Sequence, residues 1–161
     1  IEKYIPPKKG KRHILYIIRE MLDFSPQSRK TDINKALEFL LRVSKRKCTT
    51  FLISDFYARN DFKDAITICN RKHDLVAIQV YDRRAKELPD IGLMKVMDAE
   101  TGHEMFIDTG SRKLRQAHAQ YWADRQAALK DIFNKSNTDN ISVATDGDYV
   151  KPLLQLFAMR S

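Results

Sequence analysis

Between Lys11 and Phe24 the apolar residues Ile14, Ile17, Ile18, Met21 and Leu22 recur at i, i+3, i+4, i+7 and i+8. That spacing puts them on one face of an α-helix, and Pro26 ends it. A polar stretch over 25–30 separates this helix from a second periodic run, in which Ile33, Ala36, Leu37, Leu40 and Leu41 share a face. Thr31 and Asp32 are both suitable N-caps for it. The basic run 42–47 falls where cations complement the helix dipole. The pattern then changes period. TTFLI at 49–53 is a compact β-branched and aromatic run closing on Ser54 and Asp55, which predicts a strand buried on both faces.

A helix over 62–72 follows, with Phe62, Ala65, Ile66 and Cys69 inward, and LVAIQVY at 75–81 repeats the strand pattern, ending on Asp82. Strand, helix and strand make a βαβ unit. Pro89 and Gly92 punctuate the next stretch, where two short apolar runs, 93–97 and 104–107, flank AETGH and predict a β-hairpin. A long helix is expected over 111–134, with Leu114, Ala117, Tyr121, Leu129, Ile132 and Phe133 as its core stripe. A short strand over 141–144 and a closing helix over 150–159 complete the chain, the helix burying Leu153, Leu154 and Phe157. This alternation is that of an α/β, Rossmann-like three-layer sandwich: a mostly parallel sheet flanked on both faces by helices, with a hairpin insertion.

A chain of 161 residues with 43% hydrophobic and 31% charged residues suits one globular domain, residues 1–161, with its own core. No apolar run approaches the roughly 18 residues that span a bilayer, and residues 1–11 carry no secretion signal. Cys48 and Cys69 have neither CxxC spacing nor paired histidines, so buried thiols in a reducing, cytoplasmic setting are expected. The net charge of +8 favours polyanions at long range. Its clusters, at 8–12, 29–30, 42–47, 71–72 and 112–115, lack aromatic interleaving or any nucleic-acid motif, so nucleic acid is not the expected partner. His13, His73, His103 and His118 stand at no ligand or triad spacing and read as surface or helix-end residues. Trp122 reads as a core tryptophan rather than a partner anchor. With no nucleophile elbow, Walker loop or dinucleotide loop, catalysis is not expected.

In parallel sheets, ligands gather at the carboxyl ends of strands, and those ends here carry Asp55, Asp82 and Asp146. Each is equally readable as the cap of the helix that follows. The order of the segments adds to this: IPPKKGKRHIL, then TDINKALEFL, FLISDF, HDLVAIQVYD and ELPDIGLMKVMDAETG. Together they resemble the bacterial family of unknown function numbered fifty-eight, a von Willebrand factor A-like group, over nearly the whole chain. The A-domain resemblance implies a metal-ion-dependent adhesion site, built from an Asp-x-Ser-x-Ser motif, a threonine and a later aspartate. On that resemblance Thr31 offers its hydroxyl to magnesium and Asp55 binds directly or through water, while Asp32 and Ser54 orient the neighbouring loops. No Asp-x-Ser-x-Ser occurs in this sequence. The expectation is therefore an A-like domain lacking its first strands, with Mg²⁺ weak or absent on the remaining pair. The competing reading of Thr31 is a plain N-cap.

The resemblance further implies a non-enzymatic protein–protein interaction or scaffold module, working with a MoxR-type AAA ATPase in assembly or maturation of a client. It also implies an open strand edge between Thr49 and Asp55, available to pair with a second copy in a homodimer or to be covered by the N-terminal segment. The alternative is a magnesium-dependent nuclease or phosphohydrolase using Asp55, Asp82 and Asp146.

Overall fold

A computed structural model of the chain describes residues 1–27, 31–58, 60–98 and 102–160. The end of the polar stretch over 25–30 and most of the hairpin turn lie outside the described residues, as does Arg59. The first helix, α1 (Lys11–Asp23), starts after Gly10, whose φ of 105° lies where a side chain is disfavoured. The second, α2 (Ile33–Val43), starts at Asp32, whose carboxylate accepts the Lys35 N–H. Then come β1 (Thr49–Ser54), α3 (Lys63–Lys72), β2 (Asp74–Tyr81) and a short α4 (Arg83–Lys86) that the periodicity did not show. The hairpin strands β3 (Leu93–Met97) and β4 (Glu104–Asp108) precede α5 (Arg112–Lys135), β5 (Asp139–Ala144) and α6 (Val150–Met159).

The main sheet has the order β1-β2-β5, all parallel, with Ile53, Ile78 and Ile141 abreast. Alternate residues of these strands face opposite ways. Leu52, Leu75 and Ala77 point to the side where Ile33 and Leu37 of α2, Ile66 and Cys69 of α3, and Leu129 and Phe133 of α5 pack. Val76, Ile78 and Val143 point to the other side, where Leu153 and Leu156 of α6 cover them. The expected mixed α/β architecture, with a mostly parallel sheet between helices and a separate antiparallel pair, is what is found.

Several expectations within it are corrected. The TTFLI strand is not buried on both faces: Phe51 is 43% and Ile53 62% exposed, because β1 is the edge strand and α6 sits over β2 and β5. Full burial belongs to the central strand, where Leu75 to Gln79 are all buried. In α5 Trp122, Leu129 and Phe133 are core residues as expected; Tyr121, one residue or about 100° round the helix from Trp122, faces out, as does Ala117. In α6 Leu153 packs on the core as expected, but Leu156 is the buried residue and Leu154 and Phe157 are exposed. His73 does lie at a helix end, as the C-cap of α3, but it is buried rather than on the surface.

The hairpin pairs Leu93 with Asp108 and Met97 with Glu104. Its base is clipped by Arg115 of α5, which donates to the Gly110 carbonyl at 3.0 Å and pairs with Asp90 at 2.8 Å. At the opposite end of the sheet, Arg160 reaches back from the end of α6 and pairs with both Asp74 and Asp139, the first residues of β2 and β5. Among the described residues no helix is long and apolar enough to cross a membrane.

Two outcomes are expected from this packing. Ile66→Ala empties a site with no exposure and lowers unfolding free energy by about 2–5 kcal/mol, while Ile53→Ala changes it far less; urea denaturation compares them. The Arg160 hydrogen bond holds the Asp74 carboxyl below its usual value of 3.8, against a smaller opposing effect of burial. A carboxyl depressed in the folded chain stabilises it fully above the unfolded value and loses that contribution as pH falls through the folded one. Stability should therefore drop below about pH 4, and Asp74→Asn should flatten that drop in melting curves taken between pH 2 and 6.

Candidate functional site

Because β1, β2 and β5 are parallel, Asp55, Asp82 and Asp146 all lie at the same, carboxyl-terminal edge of the sheet. The loop leaving β1 is the most constrained of the three. The Phe56 N–H donates to Ser54 Oγ and the Tyr57 N–H to Asp55 Oδ1, each at 3.0 Å, so both side chains turn the chain back on itself. Phe56 is left-handed, with φ of 56°, a conformation unfavourable for an aromatic residue. Its ring compensates by being 2% exposed, edge-on to Phe133 at 5.2 Å and tilted against Phe62 at 5.9 Å. Its carbonyl accepts a 2.6 Å hydrogen bond from Arg125 Nη2 of α5.

The same guanidinium lies 3.6 Å from the centre of the Tyr57 ring, a cation–π contact. Tyr57 leans on Trp122, which also meets Tyr81 at the end of β2. Burial raises the Tyr57 hydroxyl above its usual range, with Arg125 opposing. The outcome is a loop whose backbone is locked from beneath while the Asp55 side chain stays exposed. Beside it opens a cavity of about 450 Å³ lined by Phe56, Asp61, Lys63, Arg125, Leu129 and Ile132.

At the entry of α2, Asp32 is committed as a cap: Oδ1 accepts the Lys35 N–H at 3.0 Å and Oδ2 lies 3.3 Å from Lys35 Nζ. The Lys35 backbone hydrogen bond holds its carboxyl below the usual range. Thr31, half-buried, precedes it. Asn34 ties this turn to the loop after β1 by donating to the Asp61 carbonyl at 2.9 Å. The other strand-end aspartates are also engaged locally. Asp82 accepts the Arg84 N–H at 2.8 Å as the cap of α4, and Asp146 pairs with Arg83 at 3.2 Å. Among the described residues no three His, Cys, Asp or Glu side chains converge as a metal-holding group.

Of the residues singled out from sequence, Ser54 and Asp55 share one locked turn and Thr31 and Asp32 share the α2 entry. Sequence reasoning missed Arg125, Phe56 and Tyr57. Arg125 is 69 residues from the carbonyl it holds, so no local pattern marks it.

The chain belongs to the family described as "Protein of unknown function DUF58", which matches residues 1–128. It is similar to uncharacterized proteins of Mycobacterium bovis and Mycobacterium tuberculosis, each 27% identical over 160 residues, covering 97% of this chain and 50% of the relative. An uncharacterized protein of Mycobacterium avium is 26% identical over 160 residues, 97% of this chain and 93% of the relative. The chain thus spans about half the length of the first of these curated relatives. No solved structure matches it.

Arg125→Met should remove the hydrogen bond to a buried carbonyl and the ring contact, lowering stability by about 1–3 kcal/mol in thermal denaturation. Asp32→Ala should cost about 1 kcal/mol by loss of the cap, to the same extent with and without magnesium.

Proposed function

We propose that this chain is part of a von Willebrand factor A-like interaction module: a non-enzymatic, cytoplasmic scaffold that works with a MoxR-type AAA ATPase in assembly or maturation of a client. The observation that carries the reading is the uncovered apolar surface around β1. This strand is paired on one side only among the described residues, and Phe51 and Ile53 stay exposed beside it. A strand edge with free N–H and C=O groups and apolar side chains is a template for another strand. Apolar residues are also exposed on α1, which buries none of its residues, and on the hairpin, where Leu93, Met97 and Phe106 lie on one face. Exposed apolar surface beyond scattered single residues marks protein contact sites. Two free cysteines fit a reducing compartment.

In this reading the β1 edge, between Thr49 and Asp55, takes a strand from a second copy or from a longer form of the protein. Magnesium, where it binds, is held by the Asp55 carboxylate and the Thr31 hydroxyl, with Ser54 and Asp32 shaping the two turns. One exposed carboxylate is a small charge for a hard dication that dehydrates reluctantly, so affinity depends on further ligands from outside this chain. The metal would supply an open position for a partner's carboxylate.

Ile53→Lys places a charge on the exposed apolar face without touching the core, and it tests the reading. Sedimentation velocity over a concentration series should show self-association, or association with the ATPase, in the parent and neither in the variant. A parent that stays monomeric and unbound under all conditions would overturn it. Calorimetric titration with magnesium should give weak or no heat for this chain, and measurable binding, lost in Thr31→Ala and Asp55→Ala, in a protein of the relatives' full length.

A further inference from the structure

At the end of the sheet opposite Asp55, a cavity of about 490 Å³ is lined by Lys47, Cys48, Asn70, His73, Asp74 and Asp139, among others. Cys48 is the residue before β1, and His73 the residue before β2. Parallel pairing of Thr49 with Asp74 therefore sets them side by side. The Cys48 sulfur lies 3.4 Å from His73 Nδ1, 3.5 Å from Ser44 Oγ and 3.6 Å from Thr50 Oγ1. Three polar groups thus surround one half-buried thiol that lines an open cavity.

His73 adds an independent observation. Its ring is 1% exposed, and Nε2 meets no hydrogen-bond partner. Buried polar atoms are nearly always satisfied, and an exception calls for a role. Structural needs do not explain it: as C-cap of α3, His73 uses only its backbone N–H, which donates to the Cys69 carbonyl. The arrangement is that of a sulfur nucleophile with a base in contact, beside a cavity that both residues line.

We propose that Cys48 is a reactive thiol, with His73 as its base, that forms a mixed disulfide with low-molecular-weight disulfides entering this cavity. His73 Nδ1 takes the thiol proton as the sulfur attacks one sulfur of the incoming disulfide. The S–S bond of the small molecule breaks, a new S–S bond joins Cys48 to one half, and the departing thiolate leaves with the proton returned by His73. One thiol and one disulfide give one mixed disulfide and one thiol, so no further oxidant is needed. Two features agree with the roles. Burial, and to a lesser extent the Lys72 charge, lowers the His73 pKa, so the ring rests in its neutral form. Burial, with Cys48 nearby, pushes the Cys69 thiol up, and with no exposure Cys69 stays inert. Any effect of the adduct on partners would act at the start of β1, the strand whose edge is proposed above to dock; the chemistry itself does not depend on that docking.

The test uses 2-hydroxyethyl disulfide, a small neutral probe, on the whole chain, with mass spectrometry of peptides to locate the adduct. Cys48 should be modified in the folded chain faster than the same cysteine in urea, and Cys69 should remain free until unfolding. His73→Gln keeps much of the volume but cannot take the proton, and it should slow modification of Cys48 by about a hundredfold at pH 7. Slower reaction of Cys48 in the folded chain than in urea would overturn the proposal. So would a folded His73→Gln chain that reacts at the parental rate. The comparison of folded and unfolded parent needs no variant, so it stands even where His73→Gln does not fold.

Discussion

Burial of β2 on both faces is the constraint on which the other elements depend. Its residues Leu75 to Gln79 are all buried, so apolar cover is needed above and below a single strand. Parallel neighbours on either side satisfy its backbone groups. Parallel pairing cannot be made by a tight turn, so each connection must cross over, and the crossovers carry the helices that supply the cover. The α3 and α5 helices close one face together with α2, and α6 closes the other. Arg160 then draws the end of α6 to the first residues of β2 and β5, joining the last helix to the sheet it covers.

Direction follows from the same constraint. Strands running one way place their carboxyl ends together, which collects Asp55, Asp82 and Asp146 on one rim and Cys48 and His73 on the other. On the first rim the aspartates are not equivalent. Asp82 and Asp146 are tied to α4, through the Arg84 N–H and the Arg83 side chain, whereas Asp55 stands on a turn fixed by Phe56 and Arg125. A left-handed phenylalanine persists there because its ring is packed between two others and its carbonyl is held. On the second rim, strand register alone brings together a thiol and an imidazole separated by 25 residues.

Cover is uneven, and that unevenness distinguishes the β1 side of the molecule. The α6 helix lies across β2 and β5, and Phe157 meets Phe51 of β1 edge-on. Chemically, the exposed Ile53, the free strand edge and the apolar stripe of α1 are surfaces of one kind, suited to apolar and backbone contacts rather than to charge. The basic residues of the chain are spread along it, and several are paired locally, as in Lys35 with Asp32 and Lys135 with Asp131.

From the sequence alone one could read the period of each main element, the βαβ order, the hairpin and the cap at Asp32, because these follow from residues within one or two turns of one another. The strand-end aspartates were legible for the same reason: each follows an apolar run within two residues. Tertiary structure decided which side of each element faces the core. Periodicity defines a stripe but not the angle at which a helix docks, so Tyr121 of α5 and Leu154 and Phe157 of α6 face out while Leu156 is buried. An apolar run reads alike in a central and an edge strand, so the exposed face of Phe51 and Ile53 was not legible in the run itself; only the family resemblance pointed to an open edge there. The hold of Arg125 on Phe56 and the contact of Cys48 with His73 lay beyond local pattern altogether, since distant parts of the chain meet only once the sheet has formed.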